Sequence, residues 1–227
     1  MDLLYSFWFF VTDLGDSAVT LPLAALALLY LLLAHWPRAA LALAISLAAG
    51  GAAIGALKLA LQSCGHRLLQ TTVIDPSGHV AMSTLIYGAL ALLLGSALAG
   101  VWRGALYLAF TLLIAAIALS RLVLHAHNLG EVLVGLAVGL GALILFHHLH
   151  GEPAPGGLKV SRLALSAFLL MVAMHGTRWP IEEEIRDMVA LIRAGVPQCA
   201  TAREPVNQRN SLTIIQISWA EGPPAMG

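Results

Sequence analysis

The chain has 227 residues, of which 59% are hydrophobic and only 11% charged, with a mean hydropathy of +0.85. That is far more apolar than a water-soluble domain of this length and places the chain in a bilayer. Twelve Lys plus Arg balance twelve Asp plus Glu, which argues against a polybasic nucleic-acid binder and against an acidic disordered chain.

The N-terminal stretch MDLLYSFWFFVTDLGD has neither the basic start nor the small-residue cleavage site of a signal peptide. Its Trp8 and Phe cluster suit a short segment lying at the headgroup level. Six apolar stretches follow at 18–35, 39–61, 79–99, 101–123, 128–149 and 160–176. Most are near the ~20 residues that cross ~30 Å of hydrocarbon, and the last is the shortest. Beyond it, WPIEEEIRDMVALIRAG reads as an amphipathic helix and SLTIIQISW as a short strand. The expected fold is therefore all-α: a polytopic membrane helical bundle of about six transmembrane helices in residues 1–178, with a C-terminal extramembrane tail at 179–227.

Lys58, Arg121 and Glu131 lie at the ends of spans, where a charge left in lipid costs about 2.5–3.5 kcal/mol and so must face a polar cavity or another charge. Threading the spans alternately puts the turns carrying Arg38, Arg103, Lys159 and Arg162 on one side, which the positive-inside rule makes cytoplasmic. The loops after Lys58 and Arg121, both termini and the tail then face the periplasm or exterior. Cys64 and Cys199 share that oxidising side, either paired as a disulfide or as two unpaired thiols.

Three polar segments meet at this outer face: Lys58, Pro-Ser-Gly-His at 76–79, and SRLVLHAHNLGE at 120–131. Pro76 suits the first turn of a helix, and the N–H groups of Ser77 and Gly78 at a helix start form an anion site with the helix dipole. His79 follows, placed to hand a proton to a group leaving a bound phosphoryl. Taken alone, the tetrapeptide reads as a capping turn with an incidental His. Arg121 offers a planar fork for bidentate phosphate contact. His127 and Glu131 are four apart, on one face of a helix and within hydrogen-bonding reach. A carboxylate there fixes the imidazole's tautomer and stabilises its cation, which leaves His127 able to attack phosphorus. A single His/Glu pair also reads as a polar contact between helices; it is the convergence of three segments that points to a phosphate-handling site.

These spacings resemble the type 2 phosphatidic acid phosphatase superfamily of integral membrane lipid phosphatases, which includes bacterial undecaprenyl pyrophosphate and phosphatidylglycerophosphate phosphatases. That family's second motif, Pro-Ser-Gly-His, is intact at 76–79. Its third, Ser-Arg with a His six positions after the Arg and an Asp four beyond, appears as Ser120, Arg121, His127 and Glu131. The first motif, a Lys, six residues and Arg-Pro, is degenerate: Lys58 remains, but Gly65-His66 stands where Arg-Pro is expected. Arg67, two positions on, or a tail residue such as Arg178 is a candidate replacement.

The resemblance implies that His127 is the nucleophile and forms a phosphohistidine, that Glu131 orients it, and that His79 is the acid for the leaving group and then the base for water. Lys58, Ser77, Gly78, Ser120 and Arg121 would hold the phosphoryl oxygens. No metal or other cofactor is implied. A neutral His127 and a protonated His79 together give a bell-shaped pH dependence. The implied partners are a lipid phosphate substrate and the membrane of a bacterial cell, the inner membrane, with the site facing outward; oligomeric state has no signal in the sequence.

Other residues have plainer readings. His125, two positions from His127, would point about 200° away on a helix. His147, His148 and His150 lie at the opposite end without a matching Cys or carboxylate cluster and read as interfacial anchors. Gly135, Gly139 and Gly141 suit close helix contact, and Glu182 to Glu184 suit a solvated helix start. A phosphotransferase to another lipid, a family member with weakened turnover, and a small-solute transporter are the alternative functions. Against the transporter, no charge falls near the middle of a span.

Overall fold

The computed structural model describes residues 3–65, 69–151, 160–179 and 181–195. Among these the chain is helical, and five apolar segments are long enough to cross a bilayer: Leu3–Leu33, Pro37–Ser63, Gly78–Gly95, Gly100–Val123 and Leu129–Leu149. A shorter apolar helix, Ser161–Met174, accompanies them. The chain is a multi-pass membrane bundle, and the expected spans recur to within a few residues.

The first segment is two helices, α1 (Leu3–Asp13) and α2 (Ser17–Leu33). The N-terminal stretch expected at the headgroup level is thus itself helical, with Leu3, Phe7 and Phe10 exposed. The break falls where Asp16 leaves the helical region at φ −65° and ψ 150° and its side chain accepts from the Ala18 N–H at 2.8 Å. An Asp in this cap position stabilises a helix start by about 1 kcal/mol. Gly15 lets the turn settle into the bundle, since a Cβ there would stand 2.7 Å from Ile117 Cγ2 and 3.1 Å from Ser83 Oγ.

Helix α3 (Pro37–Ala60) opens with Pro at its first position, where the missing N–H costs nothing. It ends in a π-helical turn, Leu61–Gly65. Then come α4 (Gly78–Gly95), α5 (Gly100–Val123), α6 (Leu129–Leu149), α7 (Val160–Met174) and α8 (Ile181–Gly195). The amphipathic tail helix is therefore present as α8. The stretch 211–219, where a strand was expected, and Cys199 of the proposed disulfide lie outside the described residues.

Helix α4 is the central post. It is buried along most of its length and packs on α2, α3, α5 and α6, while α5 fully buries only Ile117 and Ser120 and lays a partly buried face, Leu106, Phe110, Leu113 and Ile114, against the core. The contact of α4 with α6 is the most extensive in the bundle. It depends on Gly135 and Gly139, whose added Cβ atoms would each lie 2.5 Å from a carbonyl oxygen of α4, those of Ser77 and Ala81. Gly141, grouped with them on sequence grounds, faces open space instead: it points away from α4.

Alternation of direction brings the Lys58 end of α3, the starts of α4 and α6, the Arg121 end of α5 and the α1–α2 turn to one end of the bundle. At the other end Arg38 Nε donates to the Leu149 carbonyl at 3.0 Å and Arg103 Nε to the Leu98 carbonyl at 2.8 Å. Each thus serves carbonyls at a helix terminus as well as marking a charge-rich turn.

Candidate active site

The loop of residues 124–128 and the start of α6 build the first half of the site. Asn128 caps α6 by accepting from the Glu131 N–H at 3.0 Å, and Glu131 Oε2 accepts from the Asn128 N–H at 3.0 Å, a reciprocal capping box. The same Oε2 is 3.3 Å from His127 Nδ1. His127 therefore precedes the helix rather than riding on it, as the four-residue spacing suggested, yet the pair forms because the cap turns the chain back over the first helical turn. The ionised carboxylate can only accept, so Nδ1 donates, and in the neutral imidazole this leaves the lone pair on Nε2.

Glu131 has a second task. Its Oε1 accepts from the Ile74 and Asp75 N–H groups at 3.1 and 2.9 Å, and its own carbonyl accepts from the Ser77 N–H at 3.1 Å. The segment before α4 is thereby fastened to the start of α6. Ser77 caps α4, with Oγ accepting from the Val80 N–H at 3.5 Å, and is fully buried. Its own N–H is occupied by Glu131, so the helix-start donors expected at Ser77 and Gly78 reduce to those following Ser77. Lys58, 2% exposed, donates from Nζ to Asp75 Oδ1 at 2.7 Å, which provides the counter-charge a buried ammonium requires. A continuous chain thus runs Lys58, Asp75, Glu131, His127.

The second half is an open cavity of about 550 Å³ walled by His79 and Arg121, by Thr12, Asp13 and Asp16 near the α1–α2 turn, and by Arg178, Trp179, Glu183 and Arg186. His79 Nε2 lies 3.5 Å from Asp16 Oδ2, and Arg121 Nη1 donates to Thr12 Oγ1 at 2.9 Å. Arg178 Nη2 donates to Asp13 Oδ1 at 3.1 Å. Among the described residues on the wall, Leu124 and Ala126 represent the His127 loop. Ser120, assigned to phosphate by its motif, is fully buried and its hydroxyl donates to the Ile117 carbonyl at 2.6 Å, back along its own helix. His125 sits in the turn at φ 52°, not on a helix, and is exposed; the two imidazoles are separated by backbone reversal rather than by helical rotation.

Sequence reasoning missed Asp16, Asp75 and Thr12 as partners of His79, Lys58 and Arg121. Asp16 carried a signal as an acid at the mouth of an apolar run, which reads equally as a helix cap; it is both. Arg67 lies outside the described residues. At Gly65, within the π-helical turn, a Cβ would stand 2.7 Å from the Ala60 carbonyl oxygen, so a side chain there requires the backbone to shift.

The chain was also compared with known proteins. The family model for the PAP2 superfamily matches residues 39–154, a span that holds Lys58, the 76–79 motif and the residues from Ser120 to Glu131. A Klebsiella pneumoniae protein named "Uncharacterized 22.5 kDa protein in cps region" is 31% identical over 181 residues, covering 77% of this chain and 86% of its own length. No solved structure matches the chain.

Proposed function

Because this chain belongs to the PAP2 superfamily, a family of phosphatases, we propose that it removes phosphate from an anionic lipid such as undecaprenyl pyrophosphate or phosphatidic acid. The reaction runs through a phosphohistidine on His127. The observation that carries the reading is the buried carboxylate of Glu131, held by three backbone N–H groups while it orients His127 Nδ1.

In the first step His127 Nε2 attacks phosphorus, the bond from phosphorus to the leaving oxygen breaks, and His79 gives that oxygen its proton. Arg121 stabilises the charge on the remaining phosphoryl oxygens together with the N–H groups that open α4 from Gly78 on, while Lys58 acts through Asp75 and the buried Ser77 and Ser120 hold the surrounding backbone. In the second step His79 takes a proton from water, the water oxygen bonds to phosphorus and the phosphorus–nitrogen bond breaks. Phosphate leaves and both imidazoles return to their starting states. Residues 1–178 form the membrane unit and 179–227 an outer tail. The protein is assigned to a bacterial inner membrane with its site toward the periplasm, an orientation that the basic turns at the opposite end support.

The test is phosphate release from purified lipid phosphates in detergent, together with acid-labile labelling by a lipid carrying radioactive phosphate. His127→Ala and His79→Ala are each expected to lower turnover by about a thousandfold or more, and His127→Ala to remove the label. A double variant with wild-type turnover sinks the reading.

A further inference from the structure

Most of the cavity wall lies outside the family match. Of its described lining, only His79, Arg121, Leu124 and Ala126 fall within 39–154. The remainder comes from α1, the turn that follows it, and Arg178, Trp179, Glu183 and Arg186. That turn gathers three side chains from three separate elements onto a few consecutive residues. Thr12 receives Arg121 from α5 at 2.9 Å, Asp13 receives Arg178 from the tail at 3.1 Å, and Asp16 faces His79 of α4 at 3.5 Å.

The tail is laid along the turn at several points. His175 Nε2 meets the Phe10 carbonyl at 3.1 Å, and the Trp179 N–H donates to Asp16 Oδ1 at 3.5 Å. The Arg178 guanidinium carbon lies 5.9 Å from the centre of the Phe9 ring, a cation–π contact that favours the planar group over the cavity.

The carboxylates of Asp13 and Asp16 accept the same hydrogen bonds that phosphoryl oxygens accept. Two of the three groups tethered at this turn are those that the phosphatase reading directs at phosphate. The third carries the same chemistry as the guanidinium absent from the first motif, and position 65 has no room for a side chain in its present backbone. We infer that Arg178 supplies the phosphate-binding guanidinium that the first motif lacks, held over the cavity by Asp13 until a phosphate group takes its place. This inference rests on the phosphatase reading for the identity of the ligand. The Arg178 side chain is 60% exposed and that of Asp13 12%, so the guanidinium end of the pair stands in solvent, where it can turn toward a ligand, while the carboxylate end is largely buried. A bidentate phosphoryl contact uses the planar fork that the single 3.1 Å bond to Asp13 does not, which favours transfer of the guanidinium to phosphate.

The experiment uses the full chain in detergent: binding of inorganic phosphate by titration calorimetry, beside phosphate release from dioleoyl phosphatidic acid. Arg178→Ala is expected to weaken inorganic phosphate binding by about tenfold or more and to lower kcat/KM by at least as much, with melting temperature little changed. Arg178→Lys should recover part of the loss, because it keeps the charge and not the fork. A wild-type Kd in Arg178→Ala overturns the inference, as does a wild-type protein that binds no phosphate. The two readings separate cleanly. An unchanged Kd in Arg178→Ala, with release abolished by His127→Ala, leaves the phosphatase standing and Arg178 outside it. Binding lost with Arg178→Ala, in a protein that releases phosphate from no lipid tested, leaves an anion site standing without the phosphatase.

Discussion

Glu131 accepts four hydrogen bonds, from His127 Nδ1 and from the backbone of Ile74, Asp75 and Asn128, and every partner is a donor. An amide in its place offers one accepting oxygen and turns an NH₂ group on the other two donors. Glu131→Gln is therefore expected to cost about 1–3 kcal/mol for each buried donor left unpaired, and to lower turnover by disturbing His127 at the same time. Thermal unfolding in detergent and phosphate release measure the two effects separately. A stable variant with normal turnover would mean that Glu131 neither fastens the loop nor orients the imidazole. The added methylene relative to the Asp of the resembled motif has a use here: one oxygen reaches the 74–75 backbone while the other reaches His127. The His127/Glu131 pairing was legible from spacing. The bonds to residues 74 and 75 were not, because they span 57 and 56 residues of sequence and leave no periodic trace.

At the scale of elements, the site is set by how closely α4 and α6 approach. Gly139 permits that approach, since a methyl group would meet the Ala81 carbonyl oxygen at 2.5 Å and Thr84 Cβ at 2.7 Å, and a backbone carbonyl cannot move aside alone. Gly139→Ala is expected to destabilise the bundle by about 1–3 kcal/mol, in the range of overpacked cores. It should also lower turnover, by shifting the start of α6 against the His79 segment. Gly141→Ala, into open space, should be nearly neutral in both melting temperature and phosphate release. Equal effects at the two positions would remove the close approach as the cause. From sequence these glycines look alike, because small-residue spacing indicates that a helix can pack closely and does not say which face meets a neighbour.

For the whole molecule, alternation of spans collects the charged ends of α3 and α5, the starts of α4 and α6, and the α1–α2 turn at one end of the bundle. If that end faces outward, a membrane-impermeant maleimide should label Thr71→Cys in intact cells, in a background with Cys64 and Cys199 replaced by serine. Ala97→Cys, between α4 and α5, should react only after permeabilisation. Protection of Thr71→Cys with labelling of Ala97→Cys would reverse the orientation.

By itself the sequence determined the membrane bundle, the limits of its spans to within a few residues, and the His79, Arg121, His127 and Glu131 motifs. Bilayer thickness and helix rise fix the length of apolar runs, and local chemistry fixes spacings within a turn or two. Only the tertiary structure decided that Asp75 partners Lys58, that Asp16 faces His79, and that Arg178 reaches Asp13 across 165 residues. It also decided that Gly65 sits in a turn too tight for a side chain. Those outcomes depend on the rotation and separation of packed helices and on the path of the tail across them, which no pattern local to the chain encodes.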